Sequence, residues 1–211
     1  MMLSLDTISA LLADHTSAEQ IIDGGVKTRA AVAMLLRQGG EGGMELLIIQ
    51  RSLHENDPWS GNLAFPGGKV EPGEEPRQTA ERETIEEIGL DLNCGLYLGR
   101  MPVVRGSYLP IQVFCFVYWI NGASPDLALN GEVRDTHWAD LDELDNPERH
   151  LIAPVRFRGE ELEAPAIRLS WPGSPVLWGL TYRLVMQFLE MCRNAGHDER
   201  PVAFSPGAGK L

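Results

Sequence analysis

FPGGKVEPGEEPRQTAERETIEEIGL, residues 65–90, is a turn-rich loop that runs directly into a helix. Pro66-Gly67-Gly68 and Pro72-Gly73 are turn signals bracketing the loop. From Glu75 to Ile88 there is no glycine, and the one proline, Pro76, falls near the first helical position, where a missing N–H costs least. Gly89 is placed to stop the helix in a left-handed conformation. The segment therefore predicts a helix of about four turns.

On that helix Glu83, Glu86 and Glu87 stand at i, i+3 and i+4, which puts three carboxylates on one face. Two of them fall in the last turn, where the helix dipole disfavours negative charge by about 0.3–1 kcal/mol each. A helix built only for stability carries Lys or Arg there. Arg82 precedes Glu86 by four residues, the weaker order for an ion pair. Such breaks with local rules mark functional positions. A carboxylate cluster beside a Gly-rich loop suits a hard divalent cation, which takes oxygen ligands and shares them with substrate phosphates. The bland alternative is a solvated acidic face, because like-charge pairs four residues apart cost only about 0.2–0.5 kcal/mol.

The fixed positions Gly68, Glu74, Arg82, Glu83, Glu86, Glu87 and Gly89 fit G-x5-E-x7-R-E-U-x-E-E-x-G-U from Gly68 to Leu90, with Thr84 as the soft departure. This run resembles the Nudix box, the signature of hydrolases that cleave a diphosphate bonded to another moiety. The resemblance implies an α/β fold, a Nudix-type α/β/α sandwich with a mixed β-sheet. It implies Glu83, Glu86 and Glu87 as ligands for Mg2+ or Mn2+. It gives Arg82 the task of orienting a carboxylate, with Glu83, Glu86 and Arg82 as the catalytic set. The general base is either a box glutamate or one from a later loop, for which Glu132 is the best candidate. Glu132 has a structural alternative in pairing with Arg134.

Composition bounds the rest. A chain of 211 residues suits one domain with terminal extensions, and 44% hydrophobic content can fill a core. A formal charge of −12 with no Lys/Arg cluster argues against a nucleic-acid surface. An acidic protein that takes a polyphosphate needs bridging cations, in agreement with metal dependence. Cys94, Cys115 and Cys192 lack metal-ligand spacing and read as reduced thiols of a cytoplasmic protein. No apolar run approaches the ~20 residues that span a membrane, so no membrane partner is expected. Many relatives of the resembled family are dimers, which leaves a homodimer open, although no residue pattern here demonstrates one.

Residues 1–22 read as an N-terminal helical extension, carrying Leu3, Leu5, Ile8, Leu11 and Leu12. The hydrolase domain is expected over 23–195 and a frayed tail over 196–211. Val26 to Leu36 and Leu46 to Gln50 read as strands of a hairpin around the Gly-rich loop 38–43. Ile111 to Ile120 is dense in β-branched and aromatic residues and reads as a central strand. A short strand over 132–138 leads to a helix start at Leu141, and Ala166 to Trp171 reads as a late strand. The closing helix is expected from about Pro175 to Arg193.

Upstream of the box, Leu47 to Ser52 is an aliphatic strand ending in Arg51-Ser52, and three residues separate Gly61 from Phe65-Pro66-Gly67-Gly68. This resembles the segment before the box in coenzyme A pyrophosphatases, and Val176 to Thr181 is similar to a helix start of the same group. Two departures stand out. A second Arg expected near position 56 is absent, with Asn56 and Asp57 there instead, and the segment is one residue longer. The resemblance implies substrate contacts from Arg51, Phe65, Gly67 and Gly68, and a small-molecule diphosphate partner. Arg51 suits a phosphate through its fork geometry; its alternative is a surface cation pairing with Glu55 or Asp57. Trp59 either flanks the pocket, stacking on a base, or plugs a turn. Trp178 and Gly179 read as core contacts, and His54 and His137 as ordinary turn or surface residues. The reading is a coenzyme A pyrophosphohydrolase. The alternatives are a hydrolase of another nucleoside diphosphate derivative and a nucleotide-binding module without turnover.

Overall fold

The computed structural model describes residues 3–16, 28–55, 57–106, 109–122 and 125–198. In chain order its helices and strands are α1 (Leu5–Thr16), β1 (Thr28–Gln38), β2 (Met44–Arg51), β3 (Leu63–Ala64), β4 (Gly67–Lys69), α2 (Pro76–Ile88), β5 (Leu96–Arg100), β6 (Val104–Arg105), β7 (Ile111–Ile120), β8 (Val133–Asp140), α3 (Leu141–Asp145), β9 (His150–Phe157), β10 (Glu160–Ile167), β11 (Leu177–Trp178) and α4 (Gly179–Asp198). Asn56, Val26 and the tail beyond 198 lie outside the described residues.

The sheet is mixed. β1 runs parallel to β7 from Thr28 to Arg37 and antiparallel to β2 and β4, while β2 also pairs with β8 and β7 with β5. β7 is buried along nearly all its length, in keeping with a sequence that is apolar or aromatic at every position but Gln112. β1 shows the two-residue period of a strand with helices on both sides. Ala31, Ala33 and Leu35 pack with Ala80 and Ile88 of α2, whereas Met34 and Leu36 pack with α1 and α4. Ile8 and Leu12 bury α1 against that second face, while residues 17–22 of the expected extension lie outside the described residues. The result is the α/β/α arrangement.

The late strand and the closing helix depart from the sequence reading. β9 and β10 form a hairpin over 150–167 that pairs with β11, so the late strand ends at Ile167 and does not reach Trp171. Its turn, Arg158-Gly159, has positive φ at both residues (54° and 84°), the geometry of the tightest hairpin turns. The charged residues Arg156, Glu160, Glu161 and Glu163 mask its apolar alternation. Residues 177–178 are drawn into the same small sheet, which delays the start of α4 to Gly179.

Candidate active site

β4 carries the double glycine to the sheet, with Gly67 opposite Val32 and Gly68 opposite Ala31. Both positions exclude a side chain. A Cβ on Gly67, whose φ is 150°, would lie 2.3 Å from the Ala31 carbonyl oxygen, and a Cβ on Gly68 would lie 2.3 Å from Glu83 Oε1. The loop therefore sits directly against a carboxylate of α2.

Local rules shape that helix. Pro76 opens it, the Gln78 side chain accepts the Glu75 N–H at 3.0 Å, and Gly89 closes it at φ 71° with its N–H donating to Ile85 O. Two further N–H groups, of Ala128 and Asn130, donate to the carbonyls of Ile88 and Glu87 at 2.9 and 3.0 Å. They satisfy the end where the glutamates load the dipole's negative pole. They also fix the segment that carries Glu132, whose carbonyl accepts the Ser52 N–H at 2.8 Å.

The three glutamates do not share one environment. Side-chain exposure is 2% for Glu87, 17% for Glu83 and 54% for Glu86, so the face expected at the helix surface runs from core to solvent. Burial pushes the Glu87 carboxyl up to about 7, against the lowering effect of the Gly67 N–H that it accepts at 2.9 Å and of Arg51. The charges of Glu83 and Glu132 push the same way as burial. Burial also raises Glu83, with Glu86 and Glu132 adding to it and Arg82 opposing. Glu132 is therefore part of this electrostatic field. Thr84, the soft position of the pattern, is fully buried with its hydroxyl donating to Ala80 O at 2.7 Å.

Arg82 is the hub. Its Nε and Nη2 donate to the two oxygens of Glu74 at 2.9 and 3.2 Å, and its Nη1 donates to Glu83 at 2.9 Å and Glu86 at 3.1 Å. The Arg82 fork, helped by the Thr79 hydroxyl, holds Glu74 down at about 2. Sequence reasoning registered Glu74 only as a matched position. Its role as anchor of Arg82 spans a loop and two helical turns and becomes visible only when they fold together.

On the other side of the glycines lies a chamber of about 580 Å3 lined by Arg51, Phe65, Gly67 and Gly68 among others, so all four predicted substrate contacts converge there. Arg51 lines the chamber and makes the ion pair with Asp57 that was its alternative. It pairs with Asp57 through Nε and Nη2 at 2.8 and 2.7 Å, while its Nη1 stands 3.7 Å from Glu87. Asp57 also accepts the Trp59 N–H at 3.0 Å, placing that indole on the chamber wall. Trp178 lies on the wall too, its Nε1 donating to Asn62 at 3.2 Å, rather than serving only as a core contact. His137 stacks on Trp171, and the His54 N–H donates to Ser60 Oγ.

The model of the NUDIX domain family matches residues 27–158. The chain belongs to the Nudix family. It is 30% identical to a probable nudix hydrolase of Schizosaccharomyces pombe over 172 residues, 80% of this chain and 58% of that protein. Nudix hydrolase 3 of Caenorhabditis elegans is 43% identical over 49% of this chain and 44% of its own length. A peroxisomal coenzyme A diphosphatase of the same organism is 30% identical over 54% of this chain and 50% of its own length. The chain thus spans 58% or less of each of these relatives. A MutT/nudix family protein of Enterococcus faecalis shares the fold, with a TM-score of 0.53 at 17% identity over 92% of this chain and 76% of that one.

The Nudix box residues fit a hard divalent cation by their chemistry. The cluster offers carboxylate oxygens, and burial disfavours the negative charge of Glu87 even with Arg51 at 3.7 Å, so a divalent cation there would be met by a charge in need of a partner. Among the described residues no three His, Cys, Asp or Glu side chains are already converged as a ligand set. Arg82 supplies the positive charge between Glu83 and Glu86, and half-exposed Glu86 has room to turn.

Proposed function

We propose that this Nudix protein is a Mg2+- or Mn2+-dependent pyrophosphohydrolase that cleaves coenzyme A or its thioesters to 3′,5′-ADP and 4′-phosphopantetheine products. The observation that carries this reading is the convergence of Arg51, Phe65 and Gly67-Gly68 on one chamber that backs directly onto the complete box carboxylates. The similarity to a coenzyme A diphosphatase supports the substrate.

A divalent cation bound by Glu83, Glu86 and Glu87 would neutralise the diphosphate oxygens and lower the pKa of a bound water. The chain's own residues do the positioning. Glu74 fixes Arg82, and Arg82 fixes Glu83 and Glu86 through a single Nη1. The Gly67 N–H donates to Glu87 and holds its carboxylate in place for the cation. Glu132 is the second acidic group of that field. Arg51 faces the chamber and meets the negative charge of the diphosphate. Three free cysteines accord with a reducing compartment such as the cytoplasm. No helix among the described residues is long and apolar enough to cross a membrane.

A second reading has an observation in its favour. Asp57 stands near the place of the second arginine of the coenzyme A signature and spends its charge on Arg51. A pocket so neutralised suits another nucleoside diphosphate derivative that lacks an extra phosphate, such as ADP-ribose or a dinucleotide. Retention of every box carboxylate weighs against a non-hydrolysing module.

The test is a Mg2+-dependent hydrolysis panel read by mass spectrometry, with coenzyme A beside ADP-ribose, NADH, diadenosine polyphosphates and nucleoside triphosphates. Release of 3′,5′-ADP at the highest kcat/KM supports the proposal. Preference for another compound replaces the substrate and keeps the chemistry. No turnover with either metal favours the binding module.

A further inference from the structure

Much of the chamber wall comes from outside the segment that matches the NUDIX domain. Leu162 and Ala164 of β10 and Leu180 and Leu184 of α4 line it, and all lie beyond residue 158. They face Val32, Phe65, Ile111 and Val113 of the sheet region. The volume, about 580 Å3, is that of a small-molecule site. It is much more than a diphosphate group needs.

The lining also says what the extra space takes. Trp59 packs on Phe157 at 6.2 Å and 49°, and Phe157 meets Trp178 edge-on at 6.3 Å and 80°. These rings are turned toward one another and form no parallel pair to sandwich a planar base. The amide oxygen of Asn62, which could read a base edge, already accepts from Trp178. The charged lining residues are Arg51, Asp57, Lys69, Glu163 and Arg183; the first two neutralise each other, and the last three are exposed to solvent. Apart from the polar groups of Thr28, Asn62, Thr181 and Tyr182, the rest of the lining is apolar, aliphatic and aromatic, and such surface rewards burial of hydrocarbon and penalises an unpaired polar group.

We propose that residues 160–184 build a second subsite that holds an uncharged aliphatic chain carried on one arm of the diphosphate substrate. The proposal rests on the diphosphate-hydrolase reading and deepens it, because the subsite is continuous with Arg51, Gly67 and Gly68. Two sources supply such a chain, a long acyl thioester of coenzyme A and a prenyl diphosphate. In both, water adds across the P–O–P bridge: its oxygen joins one phosphorus, the bridging oxygen leaves with the other, and the proton is taken by the general base.

The experiment measures kcat/KM with Mg2+ for coenzyme A, its acetyl, butyryl and octanoyl thioesters, and prenyl diphosphates of two to three isoprene units. Each methylene fully buried is worth about a fourfold gain, so octanoyl should exceed acetyl at least about tenfold. A rise with chain length in either series supports the subsite and names its source. Leu162→Asp and Leu180→Asn, both at partly exposed positions, should flatten the rise, which guards against one of them failing to fold. Turnover of coenzyme A with a flat profile in both series overturns the subsite and leaves the hydrolase reading intact. If nothing is hydrolysed, the hydrolase reading falls, and calorimetric affinities for the same ligands decide the chamber. Tightening with chain length retains it, and equal affinities reject it.

Discussion

Replacing Glu87 by Gln should stabilise the metal-free protein at alkaline pH while abolishing turnover. The carboxyl is buried and its pKa rises from 4.5 to about 7. Below 4.5 both folded and unfolded chains hold the proton. Between 4.5 and 7 the folded chain keeps a proton that the unfolded chain has released, so stability falls as pH rises. Above 7 the penalty is complete. At about 1.4 kcal/mol for each tenfold in proton affinity, the difference amounts to about 3 kcal/mol. Gln is nearly isosteric, can accept the same Gly67 N–H, and carries no charge to desolvate. The variant should therefore match the wild type near pH 4.5 and exceed it by up to about 3 kcal/mol at pH 8, or about 6–12 °C in Tm for a chain of this size. Differential scanning calorimetry with chelator across that pH range measures the gap. Mg2+ should narrow it, since a ligand at 100 times its Kd stabilises the binding-competent protein by about 2.7 kcal/mol. A variant no more stable than wild type at pH 8, or equally stabilised at both ends of the range, would refute the assignment of Glu87 as a poorly solvated charge.

Glu86→Gln should reduce kcat by about two orders of magnitude or more with an unchanged circular dichroism spectrum, because the side chain is half exposed and its charge serves the cation; near-normal activity removes it from the ligand set. Gly68→Ala should displace the Glu83 carboxylate and lower kcat/KM by about a hundredfold, and a crystal structure with Glu83 unmoved contradicts the mechanism. Glu74→Gln should weaken the Arg82 hub. Glu74 has its pKa held at about 2, so its contribution is present above pH 4.5 and fades as pH falls toward 2; acid titrations of both proteins should converge at the low end. Arg51→Ala should raise KM more than it lowers kcat, and unchanged kinetics would leave Arg51 as only the partner of Asp57.

The elements legible in the sequence are those specified by neighbours along the chain. The loop, the proline start, the glycine stop and the spacing of Glu83, Glu86 and Glu87 on α2 all depend on φ/ψ preferences and a 3.6-residue period. β7 was legible for a related reason, since a strand buried on both faces reads as a near-continuous apolar run, broken here only at Gln112. The β9–β10 hairpin was not, because one of its faces is solvated and its charges hide the period; Arg158-Gly159 was the signal available.

What the sequence by itself determined is the chemistry: the family, the acidic helix, and the glycines beside it. The tertiary structure decided how each acid behaves. Three glutamates that look equivalent on a helical wheel become a buried carboxyl with a pKa of about 7, a partly buried one paired to Arg82, and a half-exposed one. Packing against β4 and the 125–132 segment creates that difference, because desolvation and the field of Glu132 depend on distances through space. The chamber is likewise a tertiary product. Its walls come from β1, β7, the loop after β2, the β9–β10 hairpin and α4, and no local pattern records that these segments meet.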